Sequence, residues 1–249
     1  MSPLAAVYCG LLGVPVGAFL NVVIERTPDR VPLRAVVDGE PNPPRAWLGV
    51  PVQPWLLRGS SGGDRRGRWL AVELATAAVF AVLGAQFGRS SVVVPMLVLG
   101  AALVAISFVD LELLRIPDRI TFPALGLAVV TMAVVSAQHH VTKALWGALV
   151  GSGLYFGMLL LAHLVSPRGM GFGDVKLALL MGLFLGWVGW APDDAVGRPV
   201  QLVLQSLVLG CVLGVVFGLT HQVVTKRRGE FPFGPSLALG CLVVLLSSA

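Results

Sequence analysis

The chain has 249 residues, 56% of them hydrophobic and 12% charged, with a formal net charge of +5. A soluble domain carries about 25% charged residues, and so few charges cannot cover a water-facing surface around apolar runs this long, which argues against a soluble globular protein. Nucleic-acid binding is also disfavoured: most arginines fall in one loop between apolar spans, and aromatic and basic residues do not interleave as in a base-stacking surface.

In chain order, eight apolar segments come near the roughly 17–25 residues needed to cross hydrocarbon. They are about 3–24, 70–88, 92–109, 120–138, 144–165, 175–191, 202–224 and 232–248. The expected fold is an all-α polytopic membrane helical bundle of about eight transmembrane helices, with the sixth the shortest. The N-terminus lacks a basic n-region and a clear cleavage site, so the first segment reads as a retained helix. The expected organisation is a first transmembrane helix over 1–24, an Arg/Pro/Gly-rich region over 25–69, and a transmembrane core over 70–249.

Residues 25–69 hold Arg26, Arg30, Arg34, Arg45, Arg58, Arg65, Arg66 and Arg68, many prolines, and the tract Gly59-Ser60-Ser61-Gly62-Gly63. Proline and glycine disfavour long regular elements there. With the N-terminus outside, the cytoplasmic segments carry these eight arginines together with Arg115, Arg119, Arg168, Lys176, Lys226, Arg227 and Arg228. Only Arg89, Lys143 and Arg198 remain outside. That bias of 15 to 3 selects this orientation under the positive-inside rule. The positive charge also suits anionic lipid headgroups.

Glycines four apart, at Gly13/Gly17, Gly147/Gly151, Gly153/Gly157, Gly182/Gly186 and Gly210/Gly214/Gly218, predict close helix packing. Cys9, Cys211 and Cys241 all lie in apolar spans, with no disulfide or metal spacing. His139, His140, His163 and His221 form no ligand cluster, so no metal site is expected.

Two acidic constellations need explaining. One is Asp110-Leu111-Glu112-Leu113-Leu114-Arg115-Ile116-Pro117-Asp118, and the other is Gly169-Met170-Gly171-Phe172-Gly173-Asp174-Val175-Lys176. The topology sets Asp110 at the end of helix three and Asp174 at the start of helix six, at similar depth. A carboxylate near hydrocarbon is costly and is usually functional or paired. Two carboxyls sharing one site resist double ionisation. One then takes a proton from water while the protonated partner polarises an amide carbonyl.

Gly169, Gly171 and Gly173 permit a tight start to helix six and close approach of a substrate backbone. The plainer alternative makes Asp174 a helix cap and Lys176 an interface anchor. Asp118, after Pro117, suits the first turn of helix four. Asp110 opposes the helix dipole, so nothing local accounts for it. Glu73 reads either as a carboxylate snorkelling to water or as a partner for Arg68 or a substrate amine. Asn21 suits a hydrogen bond across helices. Phe231-Pro232-Phe233-Gly234-Pro235 reads as the start of helix eight.

With these residues in view, the chain resembles the bacterial prepilin peptidases, or type IV leader peptidases, of the GxGD aspartyl group. Gly171-Phe172-Gly173-Asp174-Val175-Lys176 matches the GxGD signature, and Asp110 stands eight residues before Asp118 of the Pro-Asp pair. Gly17-Ala18-Phe19-Leu20-Asn21, Val50-Pro51-Val52-Gln53-Pro54-Trp55, Val72-Glu73-Leu74 and the tail motif follow in the family's order. The resemblance implies catalytic roles for Asp110 and Asp174, and a characteristic non-catalytic position for Asp118. It implies cleavage of the basic leader peptides of prepilins and pseudopilins at the cytoplasmic face of the inner membrane. Many members also N-methylate the new terminus with S-adenosylmethionine, for which Asn21 and Glu73 are the retained candidates. The two CxxC pairs that many members carry in the first cytoplasmic loop are missing, since residues 25–69 contain no cysteine. Glu25 stands where an aromatic residue or histidine is common. A small proton- or cation-coupled transporter is the competing class; it would place polar residues or helix breaks at the bilayer midplane in two related halves.

Overall fold

The computed structural model describes residues 2–27, 46–47, 50–51, 65–167, 170–225 and 232–248. Expectations for Arg30, Arg34, Arg45, Arg58, the 59–63 tract, Val52 to Trp55, Arg168, Gly169, Lys226 to Arg228 and Phe231 lie outside these residues. The described residues form eight helices: α1 Pro3–Arg26, α2 Arg65–Phe87, α3 Val93–Leu113, α4 Asp118–Gln138, α5 Ala144–Val165, α6 Phe172–Gly189, α7 Gly197–Thr225 and α8 Gly234–Ser248. A two-residue antiparallel ladder pairs β1 Ala46–Trp47 with β2 Val50–Pro51. Lipid offers no hydrogen bonds, so a spanning segment must satisfy its backbone internally, as these helices do. The chain is a multi-pass membrane protein.

Among the described residues, seven helices are long and apolar enough to cross a membrane. The eighth, α8, has 15 residues, about 22 Å at 1.5 Å per residue, against a hydrocarbon core of about 30 Å. The shortest helix is therefore the last and not the sixth. α6 begins at Phe172, three residues before its apolar run, because the glycines and Asp174 join its first turn. α8 begins only at Gly234, two residues after the expected start.

The chain divides into two compact units, Met1–Phe108 and Val109–Ala249. In the first, α1 and α2 pack antiparallel through small residues. A side chain on Gly13 would meet the Ala77 backbone at 2.6 Å, and one on Gly17 the Glu73 backbone at 2.7 Å. Gly100 of α3 opens space for Leu83 and Val79 of α2.

In the second unit α5 and α6 pass backbone to backbone. Gly147 and Gly151 face Gly182 and Gly186, and the Ser152 hydroxyl donates to the Leu179 carbonyl at 2.9 Å. α6 is the most buried of the seven spans. The Trp187 indole N–H donates to Ser136 of α4 at 2.8 Å. Tyr155 of α5 lies 3.4 Å from the hydroxyl of Ser206 in α7. α7 and α8 meet where Gly240 approaches Gly210. Gly153 and Gly157 break the expected pattern: nothing lies within 4 Å of where their side chains would be.

These contacts predict opposite outcomes for two glycines of one helix pair. A methyl group on Gly182 would lie 2.8 Å from the Ser152 Cα and cannot move backbone aside. Gly182→Ala is expected to destabilise the protein by roughly 1–3 kcal/mol through overpacking. Gly153→Ala is expected to be neutral or slightly stabilising. Thermal unfolding in detergent compares the two.

Candidate active site

The site lies in the second unit, where the end of α3, the 114–117 turn and the starts of α4, α6 and α8 converge. Asp110 occupies the last turn of α3 and is buried. Its Oδ2 accepts the backbone N–H of Gly234 at 2.9 Å. That N–H is one of the orphan donors of the first turn of α8, and an acidic group is stabilised at such a helix start. The local misfit of an acid at a helix C-terminus is thus offset by a partner 124 residues away.

Gly234 is also sterically required. A side chain there would stand 2.8 Å from Asp110 Oδ2. In sequence the Phe-Gly-Pro pattern marks a helix start, with a place along a substrate path left open, but not the carboxylate that meets Gly234.

Asp174 lies in the first turn of α6 and is buried. Its own N–H bonds to the Gly171 carbonyl at 3.2 Å. The N-cap is Gly171, with no side-chain cap bond. The carboxylate folds back against the glycine turn, with Oδ2 3.5 Å from where a Gly171 side chain would begin. Asp174 is also close enough to Asp110 for their charges to interact.

Ile116 joins the two carboxyl environments. A side chain on Gly173 would meet Ile116 Cβ at 2.8 Å, and Ile116 Cδ1 lies 3.5 Å from the corresponding position on Gly234. Ile116 is delivered by an abrupt end to α3, where Leu114 takes the left-handed conformation at φ 52°. Such a conformation costs a non-glycine residue about 1–2 kcal/mol. No pattern in the sequence flags it.

Asp118 opens α4, yet its carboxylate does not cap that helix. It accepts from Lys176 Nζ of α6 at 2.6 Å. The ammonium also lies 5.9 Å from the Phe122 ring centre and 5.2 Å from that of Phe172. This half-exposed pair ties α4 to α6 beside Asp174. Glu112 is exposed.

Asn21 and Glu73 belong to the first unit. Asn21 Nδ2 donates across the helices to the Trp69 carbonyl at 3.0 Å, while its buried Oδ1 has no partner. Glu73 is fully buried, which corrects the expectation of a carboxylate snorkelling to water; Gly17 brings α1 directly onto its backbone. Glu25 Oε1 accepts from Arg68 at 2.6 Å and from the Trp69 indole at 2.7 Å. Asn21 is buried as well. Among the described residues, no group of three or more His, Cys, Asp or Glu could hold a metal ion. The three cysteines are free and scattered.

Residues 97–219 match the type IV leader peptidase family. The chain is 32% identical to a prepilin leader peptidase/N-methyltransferase of Stutzerimonas stutzeri, over 98% of this chain and 92% of the relative. It is 30% identical to the protein of that name in Pseudomonas aeruginosa, over 98% and 91%. It is 27% identical to the one in Neisseria gonorrhoeae, over 100% and 92%. No solved structure matches.

Proposed function

The chain belongs to the type IV leader peptidase family, and on that premise we propose that it is a membrane-embedded aspartyl endopeptidase that removes the leader peptide of prepilin-like proteins with Asp110 and Asp174. The observation that supports this reading is that two buried aspartates stand at helix ends that both pack on Ile116, where nothing in the local sequence around Asp110 calls for an acid. Relatives named for leader cleavage support the substrate class; the transporter reading has no such support.

In this mechanism the pair holds one proton. The ionised carboxyl takes a proton from a water molecule, whose oxygen attacks the scissile carbonyl carbon. The protonated carboxyl gives its proton to the carbonyl oxygen and stabilises the tetrahedral intermediate. Collapse breaks the C–N bond: the leaving nitrogen takes the proton that the first carboxyl accepted from water, and one hydroxyl of the intermediate returns its proton to the second carboxyl, which restores the one-proton pair. Gly171 puts no side chain beside the Asp174 carboxylate, so an extended substrate can approach it, while Gly173 makes room for Ile116. The Asp118–Lys176 pair fixes α4 against α6.

We place the reaction at the cytoplasmic face, with the N-terminus outside; the positive-inside bias supports that side. No methyl-transfer step is derived; N-methylation stands on the relatives' names, with Asn21 and Glu73 as its candidate region, and the 25–69 region has no cysteine with which to hold the zinc that CxxC pairs would bind.

The test is a cleavage assay on the purified protein in lipid with a leader-bearing pilin precursor, read by product mass. Cleavage is expected without S-adenosylmethionine and with a strong chelator present. An intact precursor under these conditions, or activity lost to chelator and restored by metal, would overturn the reading.

A further inference from the structure

We infer that His163 is a positioning residue for Asp174: its ring clamps the peptide that leads into α6 and so sets where the carboxylate stands. This inference rests on the two-aspartate reading above. His163 occupies the last turn of α5 and is half-buried. Its Nδ1 lies 2.8 Å from the carbonyl oxygen of Met170. A carbonyl only accepts, so Nδ1 carries the proton, and both the neutral Nδ1–H tautomer and the imidazolium make this bond.

The bond orients the Met170–Gly171 peptide plane. Gly171 is the residue against which the Asp174 carboxylate rests, and its carbonyl accepts the Asp174 N–H. Glycine supplies no side chain to hold this turn, and its backbone has more freedom than any other. Backbone bonds from Met170 to Ser166 at 3.3 Å and from Asp174 to Gly171 at 3.2 Å hold the turn, and His163 adds the side-chain restraint on the Met170 carbonyl.

A second contact reinforces the clamp. The His163 ring lies 5.4 Å from the Phe172 ring, tilted by 56°. The Lys176 ammonium lies 5.2 Å from the centre of that same Phe172 ring and binds Asp118. The ends of α5, α6 and α4 are thus linked through side chains that never touch the reacting atoms. Metal ligation does not account for His163, because it has no ligand partners among the described residues.

The experiment compares His163→Leu, which removes the donor, with His163→Asn, whose amide N–H can stand where Nδ1 does. Both are assayed for leader cleavage in lipid, beside wild type and Asp174→Asn. His163→Leu is expected to lower kcat by roughly tenfold to a hundredfold, as misplacement of a catalytic group does, with KM within a factor of about three. His163→Asn is expected to recover most of that loss. A wild-type kcat in His163→Leu, or a loss confined to KM, overturns the clamp. If His163→Leu does not accumulate in the membrane, His163→Asp takes its place: it keeps the shape of Asn but opposes a carbonyl with an acceptor, and equal kcat for Asp and Asn overturns the inference. Normal cleavage by Asp174→Asn would instead defeat the two-aspartate reading, so the two failures are separable.

Discussion

Asp110→Asn and Asp174→Asn should each lower leader cleavage by at least about a hundredfold, the scale of a lost general acid or base, without removing the protein from the membrane. Asparagine keeps the shape of aspartate but can neither carry the shared proton nor take one from water. It also keeps an oxygen that can accept the Gly234 N–H now bound by Asp110 at 2.9 Å. The last helix should therefore stay docked in Asp110→Asn, whereas alanine would leave that donor buried and unpaired at a cost of about 1–3 kcal/mol. Initial rates on a leader-bearing precursor, with thermal unfolding measured in parallel, decide the matter. A variant that unfolds like wild type and still cleaves at a normal rate would remove that aspartate from the mechanism.

Gly173→Ala should be nearly as damaging, although glycine has no chemistry of its own. The added methyl would stand 2.8 Å from Ile116 Cβ and 3.3 Å from the Ile116 backbone nitrogen. Either the first turn of α6 moves, carrying Asp174, or the 114–117 turn moves, and that turn follows directly from the end of α3 that holds Asp110. A shift of about 1 Å in a reacting group can cost on the order of a hundredfold in rate. The loss should fall mainly on kcat. Gly171→Ala is the matched comparison for kcat: its methyl would begin 3.5 Å from Asp174 Oδ2, ordinary contact distance, at a φ of −66° that any residue adopts, so any loss should fall on KM through the substrate's approach. Equal kcat for both alanine variants would show that the contact with Ile116 does not position the acid.

Much of this was readable in the chain because the membrane simplifies the problem. Hydrocarbon forces helices and makes each acidic side chain conspicuous, so the spans and both Asp110 and Asp174 stand out. The spacing Gly182/Gly186 likewise predicts a close helix contact, and the structure has one.

What stayed hidden depends on tertiary partners. Glu73 looks like an interface carboxylate from its place near the end of an apolar run, yet the glycine face of α1 buries it. Gly153 obeys the same four-residue rule as Gly182 but faces open space, and periodicity alone does not distinguish a packed face from a lipid-facing one. Asp118 fits a capping position by sequence, and only the folded chain shows Lys176 within 2.6 Å. His163 is one of four scattered histidines until the carbonyl it grips is known. The left-handed turn at Leu114 leaves no signature, since leucine is a residue that rarely adopts it.

The bond between Asp110 and Gly234 has a consequence for how the protein comes to life during synthesis. Asp110 joins the growing chain 124 residues before Gly234, whose amide holds it and opens the α8 segment. Until that segment has been translated and has settled in the bilayer, one half of the reactive pair has no anchor. The order of synthesis thus leaves the Asp110 carboxylate without its Gly234 donor until α8 has been made.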